Sequence, residues 1–314
     1  MSILSETRGV LSGLAVVGVA LLFAVSVNLG VPGQELLSTL RFHIGVAMLL
    51  LPLALALTGA RLRALVLSGL IGLSLAQGAT TIFAQQQRRA ALESGVAHAS
   101  FRMLGFNVLN SNPRGADAAA FVIDSGADVV VLMEARGVGP AGLEAIAAHY
   151  PYRLGCESPR VCDLAIFSRT PLADTQMQRL NGLFRTRLFT AKTIIGGQAV
   201  TIVALHLTKP YFDNNAELEL RQAREVIGAI EGPVLLAGDF NAAAWSNQIA
   251  ALADQLGLIP PPGYPATWPV KIAPFGVPID NMFTRGPALI RNIASTPEAF
   301  GSNHLGLLAT VDLF

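Results

Sequence analysis

Polar residues that could bind a metal or move a proton stand at the ends of apolar, strand-like runs in this chain. The stretch VLLAGDFNAAAWS, residues 234–246, runs through small apolar residues and stops on Asp239 and Asn241. Asp and Asn are common turn residues, so both could simply end a strand. The alternative is that both lie at the carboxyl edge of a sheet, where open α/β proteins bind their ligands.

Five further segments place a similar residue beside an apolar run: Asn107, Glu134, His206, Asp280 and His304. Taken singly, each has a plain structural interpretation, such as a helix cap for Glu134 or a satisfied core histidine for His206. Because all of them flank runs that would be buried in one sheet layer, their side chains can converge on one cleft. Hydrolysis of a phosphodiester needs an activated water and cations that hold the phosphoryl charge. Glu134 and Asn107 offer oxygen ligands suited to Mg²⁺ or Mn²⁺.

The elements that must position these residues alternate between β-rich runs and helical patterns from residue 101 onward. The predicted strands are Phe101–Leu109, Val129–Met133, Leu164–Phe167, Phe189–Ile195, Val200–Leu205, Val234–Ala237, Ile279–Phe283 and Ala309–Leu313. The predicted helices are Ala116–Ser125, Ala141–His149, Ala216–Ile230 and Asn247–Gln255. The prolines of Pro260–Pro269 predict a loop. This mixture indicates an α/β domain with a mixed sheet core.

The first hundred residues have a different composition, with six Arg, three Glu and no Lys or Asp. Their long uncharged stretches are Gly9–Leu29, Ile44–Ala60 and Ala64–Gln87. About 20 mainly apolar residues span a bilayer, so the first and third qualify, and the middle one must begin near Leu40. We therefore predict three transmembrane helices. A cleaved signal peptide would have a shorter apolar run than Gly9–Leu29 and would not be followed by two more spans.

The orientation of these helices is only weakly indicated. With three spans, three arginines would lie at each side of the membrane: Arg8, Arg61 and Arg63 on one, Arg41, Arg88 and Arg89 on the other. Positive residues favour the cytoplasm. Cys156 and Cys162 are the only cysteines, and they could be two free thiols or a disulfide formed in an oxidising compartment. A zinc site is disfavoured because no four-ligand cluster surrounds them. We expect an integral membrane protein with its soluble part outside the cytoplasm.

The charge of the soluble part bears on its substrate. Residues 101–314 carry 16 basic and 18 acidic side chains, and the whole chain has only three lysines, Lys192, Lys209 and Lys271. A nuclease that follows a long duplex needs many cations against phosphate, so that partner is disfavoured. A small nucleotide, or a short or single-stranded nucleic acid, stays open as the substrate. Attachment to a bilayer makes a phospholipid or a lipid-linked phosphate the more natural phosphate ester, because its effective concentration there is high.

The order of the motifs, an E-strand, an H-strand, GDFN, ID and S-x-H, resembles the endonuclease/exonuclease/phosphatase superfamily, which includes pancreatic deoxyribonuclease and neutral sphingomyelinases. The resemblance covers residues 101–314. It implies a four-layer α/β sandwich, with two packed mixed sheets flanked by helices, and a metal-dependent phosphoesterase activity. Some bacterial members carry a short multi-span anchor ahead of this domain. We therefore expect a membrane anchor at residues 1–95, with a catalytic domain at residues 100–314.

The resemblance also implies roles for the candidate residues. Glu134 and Asn107 would bind Mg²⁺ or Mn²⁺, and Asp239 would accept a proton from the attacking water. Asn241 would hold that water or a phosphoryl oxygen. The remaining candidates would flank the phosphate: His304, with its tautomer fixed by Asp280, and His206 on the opposite side.

One position departs from the family pattern. Most relatives have an acid immediately before the last histidine, whereas this chain has Asn303. An amide can ligate a metal through its oxygen but brings no negative charge. Weaker metal binding follows, and a weakly catalytic domain that binds a phosphorylated ligand is the alternative function.

Overall fold

The computed structural model describes residues 3–158, 162–180, 186–211 and 213–314. Its N-terminal part is helical: α1 (Ile3–Ser26), α2 (Gln34–Thr39), α3 (Arg41–Met48), α4 (Leu50–Leu57), α5 (Arg61–Gln87) and α6 (Ala90–Glu93). The helices of the following α/β part are α7 (Gly115–Asp124), α8 (Gly139–His149), α9 (Asn215–Gly228) and α10 (Asn247–Leu256). Its strands are β1 (Ala99–Asn107), β2 (Val129–Met133), β3 (Tyr152–Leu154), β4 (Leu164–Ser168), β5 (Ala173–Arg179), β6 (Thr186–Ile195), β7 (Gln198–His206), β8 (Val234–Asp239), β9 (Asp280–Arg285), β10 (Ala288–Ser295) and β11 (Leu307–Leu313).

The strands form two mixed sheets. The six-stranded sheet has the order β10-β11-β1-β2-β4-β3, and the five-stranded sheet has the order β5-β6-β7-β8-β9. In each sheet one pair of central strands is parallel, β1 with β2 and β7 with β8, while the other pairs are antiparallel. The predicted α/β fold with two mixed sheets flanked by helices is confirmed.

Alternation of side chains along the strands explains the layers. In β1, Met103 packs into the core between the sheets, while Leu104 packs into a second core that contains residues of α7 and α8. In β8, Leu235 joins the core between the sheets and Leu236 joins a third core with residues of α9 and α10. Successive strand residues point to opposite faces. Strands apolar on both faces are therefore covered on both, which gives the order helix, sheet, sheet, helix.

The predicted strands are all present with ends shifted by a few residues, and three further strands were not predicted: β3, β5 and β10. β5 has the sequence ADTQMQR and is almost wholly exposed. It lies at the edge of its sheet. An edge strand with both faces in solvent carries no apolar pattern, so the alternation that predicts strands is missing there.

Two helices of the N-terminal part are long and apolar enough to cross a membrane, Ile3–Ser26 and Arg61–Glu93. The prediction of three such helices is corrected at the middle stretch, Arg41–Leu57, which is shorter. At 1.5 Å per residue it reaches only about 25 Å, less than the roughly 30 Å of a hydrocarbon core. The break between α2 and α3 at Leu40 prevents a longer run.

The two long helices α1 and α5 run in the same direction, and the far end of α5 lies on the α/β part. Arg8 of α1 donates to the Thr58 carbonyl, and Arg63 Nη1 donates to Ser12 Oγ at 2.6 Å, so the start of α1 meets the turn before α5. At the other end of α5, Gln85 Nε2 donates to the Ala244 carbonyl at 2.8 Å. The 27 residues of α5 separate these two ends by about 40 Å.

Candidate active site

Strand register places three candidate residues side by side at one edge of the five-stranded sheet. His206 of β7 is opposite Asp239 of β8, and Asp239 is opposite Asp280 of β9. Residues opposite one another in neighbouring strands point their side chains to the same face. All three are buried. One face of the sheet edge therefore carries two carboxylates and an imidazole in a row.

The six-stranded sheet brings an amide and another carboxylate to the same point. Asn107 ends β1 opposite Met133 of β2, so Glu134 is the first residue beyond the neighbouring strand. The Asn107 side-chain nitrogen donates to Asp239 Oδ2 at 2.9 Å and to Glu134 Oε1 at 3.4 Å. Asn107 thus links the two sheets at their common edge, as the resemblance implied.

The backbone is left-handed at two candidate residues, Glu134 (φ 52°) and Asn241 (φ 51°). Residues other than glycine rarely adopt this conformation, and it concentrates at functional sites. Glu134 Oε2 accepts a hydrogen bond from the Asn110 backbone N–H at 2.7 Å. The Asn241 backbone N–H donates to Asp239 Oδ1 at 2.8 Å, and its side chain donates to the Leu207 carbonyl at 2.8 Å. These bonds hold each turn and aim its side chain.

Asp280 and His304 form the pair that the sequence predicts. His304 Nδ1 lies 2.8 Å from Asp280 Oδ2, and His304 Nε2 lies 3.9 Å from Asp239 Oδ2. The His304 backbone N–H donates to Ser302 Oγ at 3.1 Å, and that hydroxyl donates to the Asn107 carbonyl at 2.7 Å. Burial lowers the pKa of His304, but Asp280 and Asp239 outweigh it and raise this pKa to about 9.

A second pair, Asp163 with His206, lies on the other side of Asp239. His206 Nδ1 is 3.3 Å from Asp163 Oδ2, and His206 Nε2 is 4.0 Å from Asp239 Oδ2. Burial lowers the pKa of His206. Asp163 and Asp239 raise this pKa by more than burial lowers it, so the net shift is upward. The sequence analysis missed Asp163. The available signal was its place just before a strand, β4, which is antiparallel to β2 and so starts at the edge where β2 ends.

A disulfide closes the loop that ends directly before Asp163. Cys156 is bonded to Cys162, with their Cα atoms 4.4 Å apart. Of the two alternatives left open by the sequence, the structure therefore has the disulfide. The Cys162 carbonyl accepts from the Arg136 backbone N–H at 2.9 Å, and the Asp163 carbonyl accepts from the Ala135 N–H at 3.0 Å. The loop is thus fixed to the turn that follows Glu134.

Asp239 is the centre of charge in this site. Burial and the neighbouring Asp280 raise the pKa of Asp239, whereas His304 and His206 lower it, and the net shift is upward. Three carboxylates and two histidines therefore alternate across the site, in the order Asp163, His206, Asp239, His304 and Asp280. A carboxylate with a raised pKa is a better proton acceptor.

Two groups of side chains could hold a divalent cation. Ligand atoms of Asp239, Asp280 and His304 lie within 4.8 Å of one another. Asn107, Glu134 and Asp239 form the second group through the bonds given above. Asp280 Oδ1 is buried and has no hydrogen bond from a described residue, whereas Glu134 is half-buried. Carboxylate oxygens are what Mg²⁺ and Mn²⁺ prefer, so Glu134 and Asp239 fit a hard cation. Asn107 turns its nitrogen to both carboxylates and its Oδ1 accepts from the Leu109 N–H at 3.1 Å, so it would ligate a cation only after its amide rotates.

Asn303 lies apart from the other predicted site residues. It is exposed, between the buried Ser302 and His304. Among the contacts of the described residues, no hydrogen bond of the Asn303 side chain to the site is present. Its predicted part in metal binding therefore stays a prediction.

The residues that build this site lie in one segment that a protein-family model matches. The sequence model of the endonuclease/exonuclease/phosphatase family matches residues 104–304, which include every candidate residue from Asn107 to His304. No curated protein matches the chain in sequence.

Several solved structures share the fold. An endonuclease/exonuclease/phosphatase from Beutenbergia cavernae is 20% identical with a TM-score of 0.56, covering 68% of this chain and 72% of that one. Sphingomyelinase C from Streptomyces griseocarneus is 19% identical with a TM-score of 0.53, covering 67% and 99%. A Staphylococcus aureus beta toxin mutant with bound magnesium ions is 17% identical with a TM-score of 0.52, covering 67% and 99%. At identities of 17–20%, these likenesses show that the fold is shared and nothing more specific.

Proposed function

Because the chain belongs to the endonuclease/exonuclease/phosphatase family, we propose that it is a membrane-anchored, divalent-metal-dependent phosphoesterase that acts on a phosphodiester. The single observation that carries this proposal is the position of Asp239. This buried carboxylate has an imidazole nitrogen about 4 Å away on each side and an amide that connects it to Glu134. A proton acceptor flanked by two imidazole donors can activate water on one side and stabilise phosphoryl charge on the other, which in-line hydrolysis of a phosphate ester uses.

The roles of the side chains follow from their charges. Asp239, with its raised pKa, accepts a proton from water, while Asn241 orients that water or a phosphoryl oxygen. His304 is protonated at neutral pH because its pKa is about 9, so it can donate to a phosphoryl oxygen or to the leaving oxygen. Asp280 fixes the His304 tautomer through Nδ1. His206, held by Asp163, donates from the opposite side.

We assign the cation to Glu134, with Asn107 as a further ligand through Oδ1 once its amide turns away from the Leu109 N–H. Asp280 and His304 already bond to each other, which favours proton transfer over ligation for that group. Mg²⁺ keeps several waters and therefore needs an accessible ligand, and Glu134 is half-buried whereas Asp280 and His304 are buried. The ion would neutralise charge on the phosphoryl oxygens. The magnesium-bound beta toxin supports this choice of metal by fold likeness.

The substrate and the membrane placement belong to the same proposal. The apolar helices α1 and α5 support integration into a cell membrane. Arg8 and Arg63 lie at the end away from the α/β part, whereas Arg88 and Arg89 at the near end are bonded to carbonyl groups of that part. We therefore place the arginines that are not bonded to the α/β part in the cytoplasm and the catalytic part outside it. The Cys156–Cys162 disulfide agrees with an oxidising compartment. A phospholipid or lipid-linked phosphate is the substrate that this placement favours.

The decisive experiment measures hydrolysis by the purified full chain in detergent. Bis-nitrophenyl phosphate, a phospholipid panel and single-stranded DNA and RNA are offered with Mg²⁺, Mn²⁺ or EDTA. We expect activity with a divalent ion, its loss in EDTA, and a decrease of about 10²–10⁴-fold for Asp239→Asn and Glu134→Gln. Asp312→Asn is the matched control, because Asp312 is a buried acid opposite Ser100, at the far end of β1 from Asn107. Full activity in EDTA would contradict the metal dependence, full activity in either site variant would contradict the assigned site, and no hydrolysis of any ester would contradict the hydrolase assignment.

A further inference from the structure

A cavity of about 170 Å³ adjoins the site and is shared by the helical part and the α/β part. His304 and Asn241 line it at the site, and Lys209 brings a cation. The remaining lining is mainly apolar: Leu36 and Leu40 from the α2 segment, with Trp268, Val277 and Ile279 from the segment before β9. A group attached to a phosphate at His304 would therefore enter an apolar space that the N-terminal helices help to build.

The wall formed by α2 is fixed by buried hydrogen bonds to the loop after β8. Thr39 Oγ1 accepts from the Ala243 N–H at 3.1 Å, and the Thr39 carbonyl accepts from Trp245 Nε1 at 3.0 Å. Glu35 Oε1 accepts from the Gln248 N–H at 2.9 Å. Buried polar groups are stable only when paired in this way. Because this loop begins at Asn241, α2 is held in a definite place relative to the site.

The segment before β9 also meets the helical part at α3, where both carry exposed apolar side chains. His43 Nε2 of α3 lies 2.9 Å from the Phe275 carbonyl, which ties the segment before β9 to α3. Phe275 is 75% exposed, and Val46 on α3 is 61% exposed. Exposed large apolar side chains on both elements form the kind of surface that contacts lipid rather than water.

We propose that this cavity is a subsite for the hydrocarbon part of the substrate, so that the substrate is an amphipathic phosphodiester taken from the bilayer. The proposal rests on the proposed phosphoesterase function. A complete site for a small organic ligand usually has about 300–1,000 Å³, so 170 Å³ holds only the chain segment next to the phosphate. The rest of the chain lies along the exposed apolar surface of α3.

The test is a chain-length series of substrates. The full chain in detergent is given 4-nitrophenyl alkyl phosphodiesters with alkyl groups from methyl to octyl, and kcat/KM is measured. Burial of one methylene is worth about 0.8 kcal/mol, so kcat/KM is expected to rise about fourfold per carbon until the cavity is filled. Leu36→Asn should flatten this rise, and Leu36→Met should keep it.

Leu218→Asn is the matched control, since Leu218 on α9 is 37% exposed and Leu36 is 38% exposed, but Leu218 does not line the cavity. The control should keep the full chain-length dependence. A flat series in the unmodified protein, or an equal loss in Leu36→Asn and Leu218→Asn, would overturn the subsite while leaving the hydrolase function intact.

Binding of the alkyl phosphates themselves, from ethyl to hexyl, is measured by calorimetry in parallel. Affinity that rises with chain length and is lost in Leu36→Asn would support the subsite even if no hydrolysis occurs. Hydrolysis absent with every ester contradicts the proposed function, whereas affinity independent of chain length contradicts the subsite, so the two failures are distinguishable.

Discussion

The two sides of Asp239 carry the same pair of groups on different supports. On one side, Asp280 lies 2.8 Å from the Nδ1 atom of His304; on the other, Asp163 lies 3.3 Å from that of His206. Both Nε2 atoms stand at nearly the same distance from Asp239 Oδ2, 3.9 and 4.0 Å. Asp280 belongs to a strand in register with Asp239, whereas Asp163 directly follows Cys162, the second cysteine of a disulfide. Similar placement at the reacting point is thus reached by sheet register and by a covalent link.

Solvent access also differs between the two sides. The Asp280 side chain is 3% exposed and that of Asp163 is 14% exposed. Water weakens the attraction between a carboxylate and an imidazolium. We therefore expect the pKa of His304 to depend more strongly on Asp280 than the pKa of His206 depends on Asp163.

The largest difference between the sides should come from Asp280→Asn compared with Asp163→Asn. Loss of the Asp280 charge removes the largest contribution that offsets burial, which lowers the pKa of His304 from about 9 although Asp239 still raises it. The alkaline limb of kcat should move down by about one pH unit or more, and the rate at pH 8.5 should fall by about 10–10²-fold. The pH–rate profile of each variant measures this effect. Asp163→Asn should give a smaller loss.

Protein stability gives a second measure of the same shift. A pKa of His304 near 9, raised above about 6.5 in the unfolded chain, stabilises the protein fully below pH 6.5, and this contribution is lost as pH rises through 9. Thermal unfolding in EDTA should therefore show a decline over this range that is smaller in Asp280→Asn. Equal pH–rate profiles for Asp280→Asn and Asp163→Asn would contradict the difference that we infer between the two sides of Asp239.

A smaller effect is expected from removing the covalent link on the Asp163 side. The double change Cys156→Ser and Cys162→Ser should cost about 2 kcal/mol of unfolding free energy, the magnitude for a short disulfide loop. We expect kcat to fall about three- to tenfold without a change in the limb assigned to His304. Urea unfolding and the pH–rate profile measure the two effects.

The control for this prediction is the same double change made in Asp163→Asn. If the disulfide acts through Asp163, the combined loss should be less than the product of the separate losses. Independent, multiplicative losses would mean that the disulfide acts elsewhere.

The same two cysteines also test the location of the catalytic part. Thiols that alkylate freely in unreduced cells would contradict the extracytoplasmic placement.

The comparison also explains what the sequence could reveal. Asp280 and His304 are predictable because each stands beside an apolar strand run in a motif of fixed order. Asp163 also stands at the start of a strand, but it belongs to no motif of that order, and its partner His206 is more than forty residues away. Contacts between α2 and the loop after β8, such as Thr39 with Trp245, join residues 206 positions apart. No local pattern records such packing.

Asn303→Asp should produce the smallest effect, because Asn303 is exposed and its interactions are screened by water and salt. An added carboxylate beside His304 favours the imidazolium, so the alkaline limb should move up by a few tenths of a pH unit. The Mg²⁺ concentration for half-maximal rate should fall about two- to threefold if the negative charge acts on the cation. Metal titrations and pH–rate profiles of Asn303→Asp are compared with those of Asn303→Ser, which brings no charge. If Asn303→Asp instead abolishes activity in a folded protein, the amide itself contacts the substrate or the metal. The His304 side of Asp239 would then carry a ligand that the His206 side lacks.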